Sequence, residues 1–391
     1  MTWDSVRSIL AVRLDGIGDL LMSTPALRAL KEGGAARSLT LLTSPAAAEA
    51  ARELSFIDDV IAFVAPWMKS SETTPVSPMA TATLIDRLRR RAFDAGIVFT
   101  VFTQSALPAA TLLFLAGIPR RAAYCRENPY ALLTDWRADP DRDAHAGVRH
   151  EVQRQIDLVE SLGVPVRDTR LQFPVRDDAR KTMLDKVLAA GMHARRPWLI
   201  VHPGATAPSR RYPDRQLAEA VALLETSGRW QIGIAGAIED RASANVIASC
   251  VPEAVELIGL LDVPELAALL QAAQLVVCNN SAPAHIAAAV GTPVVDLYAL
   301  TNPQHMPWGV AHRTLSHDVE CKYCLRSVCP HGHQRCLTGV APAEIVAAVD
   351  SLLPAIPGQR RRRAPALSLT ESASESSPAE PRAPPYTSER R

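Results

Sequence analysis

Hydrophobic positions along the chain fall into short unbroken runs that alternate with longer Ala-, Leu- and Arg-rich stretches. In the first half the runs are SILAVRL (Ser8–Leu14), SLTLLTS (Ser38–Ser44), VIAFV (Val60–Val64) and AGIVFT (Ala95–Thr100). In the second half, after the charged segment PVRDDARKTMLDK, they are PWLIVHPG, WQIGIAG, AVELIG, LVVCNN and PVVDLYAL. Runs that stay apolar at every position predict strands buried on both faces, which is the habit of a parallel sheet. The stretches between them predict helices, and strand–helix alternation predicts an α/β architecture with helices on both sides of each sheet. The pattern divides into two such units that meet near Phe173 to Arg180. The expected organisation is a first domain over 1–175 and a second over 176–353. Ligands in these sheets bind at the carboxyl ends of strands, so two facing units predict a cleft.

From Pro354 to Arg391 the pattern stops. PAIPGQRRRRAPALSLTESASESSPAEPRAPPYTSERR is rich in Pro, Ser, Glu and Arg and nearly free of large apolar residues. Such a segment cannot bury enough surface to offset its ordering entropy, and disorder is expected. Arg360 to Arg363 can touch anionic lipid at about 1 kcal/mol per charge, against the plainer reading of a solvated tail.

Hydrophobic residues make up 48% of the 391, enough for full cores. The net charge of +1 and an aromatic content of 5% argue against nucleic acid as a partner. The longest apolar stretch, Ala106 to Ile118, contains a proline and falls short of the ~20 residues that span a bilayer. Asp4 and Arg13 make the start a poor signal peptide, and a cytoplasmic location is expected. Cys125, Cys250 and Cys278 stand among apolar neighbours and read as core thiols. Cys321, Cys324, Cys329 and Cys336 form C-x₂-C-x₄-C-x₆-C with His331 and His333 inside, a spacing compatible with a structural metal.

The chemistry centres on VRLDGIGDLLMSTPAL, Val12 to Leu27, where the first strand turns into a helix. Gly16 and Gly18 suggest a dinucleotide fingerprint, but Leu21 stands where the third glycine should fall, which disfavours a dehydrogenase. The glycines let backbone approach a ligand closely. Asp15 reads as a turn residue. Asp19 reads either as a helix cap worth ~1 kcal/mol or as a functional carboxylate.

The chain resembles glycosyltransferase family 9, the heptosyltransferases of lipopolysaccharide assembly. The blocks that carry the resemblance are RLDGIGDLLMSTPALRAL, AGIPRRAAYCRENPYALLT, HPGATAPSRRYPDRQ, GIAGAIEDR and VVCNNSAPAHIAAAVGTPVVDLY, spread from about Ile9 to Leu353. The resemblance implies a GT-B architecture, two Rossmann-like domains with the acceptor on the first and a nucleotide-sugar donor on the second. It implies an inverting transfer of heptose from ADP-heptose to a lipopolysaccharide-core-type glycan or glycolipid at the inner-membrane surface, without a catalytic cofactor. It makes Asp19 the general base, a role worth ~10²–10⁴ in rate. Gly18, Thr206, Arg210, Arg211, Glu239, Asn280, Ser281, Ala282 and His285 become the donor and phosphate contacts, with Arg210 at the place of the family's lysine. Arg120, Arg121 and Arg126 match a basic region that would meet an acidic acceptor. Asn280 and Ala282 depart from the family's carboxylate and glycine, which leaves open a different nucleotide sugar or acceptor. A non-catalytic sugar-binding relative is the rival of another class. Relatives that glycosylate proteins carry an iron-binding four-cysteine finger, which extends the metal expectation, zinc or iron, to Cys321, Cys324, Cys329 and Cys336.

Overall fold

The computed structural model describes residues 3–34, 37–69, 76–139 and 149–352. The Pro354–Arg391 segment and Arg360 to Arg363 lie outside them.

The first sheet contains β1 (Ser8–Arg13), β2 (Ser38–Thr43), β3 (Asp59–Ala62), β4 (Ala95–Val98), β5 (Arg120–Tyr124) and β6 (Asp135–Arg137). The second contains β7 (Trp198–His202), β8 (Gln231–Gly236), β9 (Val255–Ile258), β10 (Leu275–Asn279), β11 (Val294–Leu297) and β12 (His312–Leu315). Strand order is β3-β2-β1-β4-β5-β6 in one and β12-β11-β10-β7-β8-β9 in the other, and the registered pairs are parallel. The two sheets therefore repeat one topology, the doubly wound order whose switch point lies between β1 and β4 and between β7 and β10. The expected α/β layering with parallel sheets is met.

Burial explains the strand choice. All five residues of β7 and of β10, and Ile9 to Arg13 of β1, are buried, as a sheet covered on both faces requires. Strands β5, β6 and β12 were not predicted. β5 opens on Arg120 and Arg121, β6 reads DWR and β12 reads HRTL. Short strands toward a sheet edge need little apolar content, so they leave no continuous run.

Both sheets belong to one compact unit. The helix Ile17–Met22, which follows β1, packs on the helix Ala282–Val290, which follows β10. Gly18 permits this. A Cβ there would lie 2.6 Å from His285 Cδ2. The carboxyl ends of the two central strands thus face one another across a cleft. Among the described residues no helix is long and apolar enough to cross a membrane.

Candidate functional site

Arg13, the last residue of β1, is fully buried and gathers three carboxylates. Its Nε stands 3.2 Å from Asp15 Oδ2, its Nη2 3.3 Å from Asp19 Oδ1, and its Nη1 3.4 Å from Glu151 Oε1. Gly16 is the N-cap of the helix Ile17–Met22, and Asp19, in its first turn, takes a backbone hydrogen bond from Gly16 while its carboxylate also turns to Arg13 and keeps 24% of its surface open. Burial and the nearby Asp15 push the Asp19 carboxyl up to about 6, with Arg13 and Arg210 pulling the other way. A carboxylate so placed is ionised at neutral pH yet basic enough to accept a proton. Glu151, sealed from solvent, is driven by burial to about 7. Asp15 is more than a turn residue: Gln104 Nε2 donates to its Oδ1 at 2.5 Å.

Asp15 and Asp19 line a cavity of about 220 Å³ together with Thr103, Arg210, Asn302 and His305. The Arg210 guanidinium has no hydrogen-bond or ion-pair partner among the described residues. It sits on the 3₁₀ turn Pro208–Arg210, which is pinned by the cysteine-bearing segment. Ser209 N–H donates to the Ser327 carbonyl at 3.0 Å, Ser209 Oγ to the Arg326 carbonyl at 2.8 Å, and Gln334 Nε2 to the Pro208 carbonyl at 2.7 Å. The segment after β12 thus positions Arg210, which shares the cavity with Asp19.

A larger cavity of about 690 Å³ opens beside it at the ends of β7, β8 and β10. Thr206, Arg211, Glu239, Ser281 and Ala282 line it, with an apolar wall of Leu257, Leu261, Val263, Leu266 and Ile286. Arg211 Nη2 stands 3.3 Å from Asp240 Oδ1. A Cβ on Gly204 would lie 2.1 Å from Asp240 Oδ2, so only glycine lets that carboxylate in. At the start of the helix Ala282–Val290, Pro283 has no N–H and Ala284 N–H is bound to the Ser281 carbonyl at 3.1 Å. Ser281 and Ala282 are left as the backbone donors there.

Several sequence expectations are corrected. At Gly18 the missing side chain makes room for the His285 ring, which is 4% exposed and lines neither cavity. Asn280 is turned inward, donating to Asp296 Oδ2 at 3.0 Å and the His305 carbonyl at 2.7 Å. Arg120 and Arg121 begin β5 at the opposite end of the sheet. There Arg120 pairs with Asp135, and Arg121 donates to the carbonyls of Ala131 and Leu132 at 2.8 Å. Arg126, past the other end of β5, lies over Phe102 and donates to the Gln104 carbonyl at 3.3 Å.

Cys321, Cys324, Cys329 and Cys336 are neighbours, and Cys321 Sγ lies 3.8 Å from His333 Nε2. Among the described residues, however, no group of three or more His, Cys, Asp or Glu side chains is gathered to hold a metal ion.

The model of glycosyltransferase family 9 (heptosyltransferase) matches residues 81–335, more than half of the chain. The chain belongs to glycosyltransferase family 9. The matched stretch holds Arg210, Glu239 and the Asn280–His285 loop, whereas Asp19 precedes it. Lipooligosaccharide heptosyltransferase 2 of Haemophilus influenzae is 28% identical over 227 residues, 56% of this chain and 64% of that protein. The chain thus spans just under two thirds of that relative. Lipopolysaccharide heptosyltransferase 2 of Salmonella typhimurium is 25% identical over 280 residues, 68% of this chain and 77% of that protein. The solved Escherichia coli ADP-heptose lps heptosyltransferase II superposes with a TM-score of 0.69 at 20% identity, covering 88% of this chain and 98% of that one. At that identity the likeness is one of fold, and the two-sheet GT-B architecture is shared.

Proposed function

We propose that this family 9 glycosyltransferase moves a heptose from ADP-heptose to a hydroxyl of a lipopolysaccharide-core-type acceptor, with inversion at the anomeric carbon. The observation that carries this reading is the pairing of Asp19 and Arg210 in one cavity, a raised carboxylate and an unpartnered guanidinium. The larger cavity suits the nucleotide: its apolar wall takes the base, Glu239 the ribose hydroxyls, and Thr206, Arg211, Ser281 and Ala282 the diphosphate. The acceptor enters from the first sheet, where Thr103 lines both the Asp19 cavity and a further one of about 300 Å³, and Arg126 donates to Gln104 in the wall of the latter.

In the reaction Asp19 takes the proton of the acceptor hydroxyl as its oxygen bonds to the anomeric carbon. The bond from that carbon to the diphosphate oxygen breaks on the opposite face, and its electron pair leaves with ADP. Arg210 meets the charge that develops on the leaving group, so side-chain cations fill the place a metal takes in other transferases. The acceptor is presented at the cytoplasmic side of a membrane, where a lipid-linked core is built. Asp19→Asn tests the base: turnover falls at least ~10²-fold while ADP-heptose binding, read by calorimetry, is kept. Unchanged turnover sinks the assignment.

A further inference from the structure

The loop between β11 and β12 is held with unusual completeness. Asn280 donates to the His305 carbonyl at 2.7 Å, and His305 N–H donates to the Tyr298 hydroxyl at 3.2 Å. That hydroxyl in turn donates to the Asn302 carbonyl. From the first half of the chain, Glu151 N–H donates to the Gln304 carbonyl at 2.9 Å, and His150 Nε2 to the Met306 carbonyl at 2.7 Å. The amide side chain of Asn302 lies 3.2 Å from His305 Nδ1. This network assigns Nδ1 as acceptor and puts the ring proton on Nε2.

Two polar atoms are left over. His305 Nε2 and Asn302 Oδ1 are buried and without a hydrogen-bond partner among the described residues. His305 is 6% exposed, and both residues line the cavity that holds Asp19 and Arg210. Buried donors and acceptors in native proteins nearly always find partners, so a leftover pair beside a substrate cavity calls for a ligand. Burial, with the charge of Arg210 nearby, keeps the imidazole neutral. A neutral N–H beside an amide oxygen complements a hydroxyl, which both accepts and donates. It is a poorer match for a diphosphate, which only accepts. Asn280, the residue expected to read the sugar, is committed to Asp296 and to this loop.

We propose that His305 and Asn302 form the subsite that reads a hydroxyl of the transferred sugar, a specificity-determining pair that Asn280 holds in place. The inference rests on the nucleotide-sugar reading of the cleft. The test titrates the full chain and its variants with ADP-heptose and with ADP in a calorimeter. In His305→Ala and Asn302→Ala the affinity for ADP-heptose should fall about 10- to 100-fold while that for ADP stays within about two-fold, since only the sugar loses its partner. His305→Gln, which keeps an N–H donor, should recover part of the loss. Equal losses for both ligands, or no loss for either, overturn the subsite, as does a wild-type protein that gains nothing from the attached sugar. Wild-type protein that holds no adenine nucleotide at all overturns the donor reading, and this pair with it. Should His305→Ala not fold, His305→Gln and Asn302→Ala carry the comparison.

Discussion

Removing the charge of Arg13 should move the pH at which the enzyme switches on. Arg13 Nη2 stands 3.3 Å from Asp19 Oδ1. For charge centres about 4 Å apart at an effective dielectric of about 20, the attraction is about 4 kcal/mol. A quarter of the Asp19 side chain is open to solvent, and screening through that opening takes roughly half, leaving about 2 kcal/mol, or about 1.5 pKa units. In Arg13→Met the Asp19 carboxyl should therefore rise from about 6 to about 7.5. Glu151, itself pushed up to about 7, takes a proton when its partner is lost, which limits the buried charge left unpaired, while Asp15 keeps its hydrogen bond from Gln104. Glu151→Gln replaces a carboxyl that is itself driven up to about 7 and so is largely protonated where Asp19 titrates, and it should leave the limb close to its wild-type position. The assay is the initial rate of ADP release at low substrate against pH, whose acid limb reports the base in the free enzyme. A limb that stays put in Arg13→Met, or that moves as far in Glu151→Gln, while thermal melts show both folded, refutes the reasoning. A merely structural Arg13 would lower the rate at every pH without moving the limb.

Three further outcomes follow from the geometry. Gly18→Ala puts a methyl 2.6 Å from His285 Cδ2 and should force the two helices apart, costing about 1–3 kcal/mol in urea unfolding together with a loss of turnover. Arg210→Met should weaken ADP binding by about 10- to 100-fold, the worth of a charge-assisted contact, with melting temperature nearly unchanged because the guanidinium makes no hydrogen bond or ion pair among the described residues. His150 is held at about 4 by burial, against 6.5 in the unfolded chain. The unfolded state takes the proton first, so this contribution is complete above about pH 6.5 and is lost as pH falls toward 4. His150→Asn, with nothing to titrate, should lose about 2 kcal/mol less than wild type between pH 7 and 4.5, measured by denaturant unfolding at each pH.

The sequence by itself determined the architecture, because strands buried on both faces must be apolar throughout and therefore announce themselves. All nine predicted strands exist, and the three missed, β5, β6 and β12, are short or open on charged residues. It also placed Asp19 at the turn after β1, since a strand-to-helix turn at the switch point is local in sequence. What it could not yield is what the carboxylate meets there. Arg13 looks like an interruption of an apolar run, yet it becomes the hub of Asp15, Asp19 and Glu151, the last 138 residues away. Asn280 looks like a sugar contact and is spent on Asp296, while Arg120 and Arg121 look like acceptor contacts and lie at the far end of the sheet. Asn302 and His305 belong to no motif and stand out only because one atom of each has no partner. Which polar group is left unsatisfied in a cleft is a sum over neighbours from distant parts of the chain. Only the folded packing decides it.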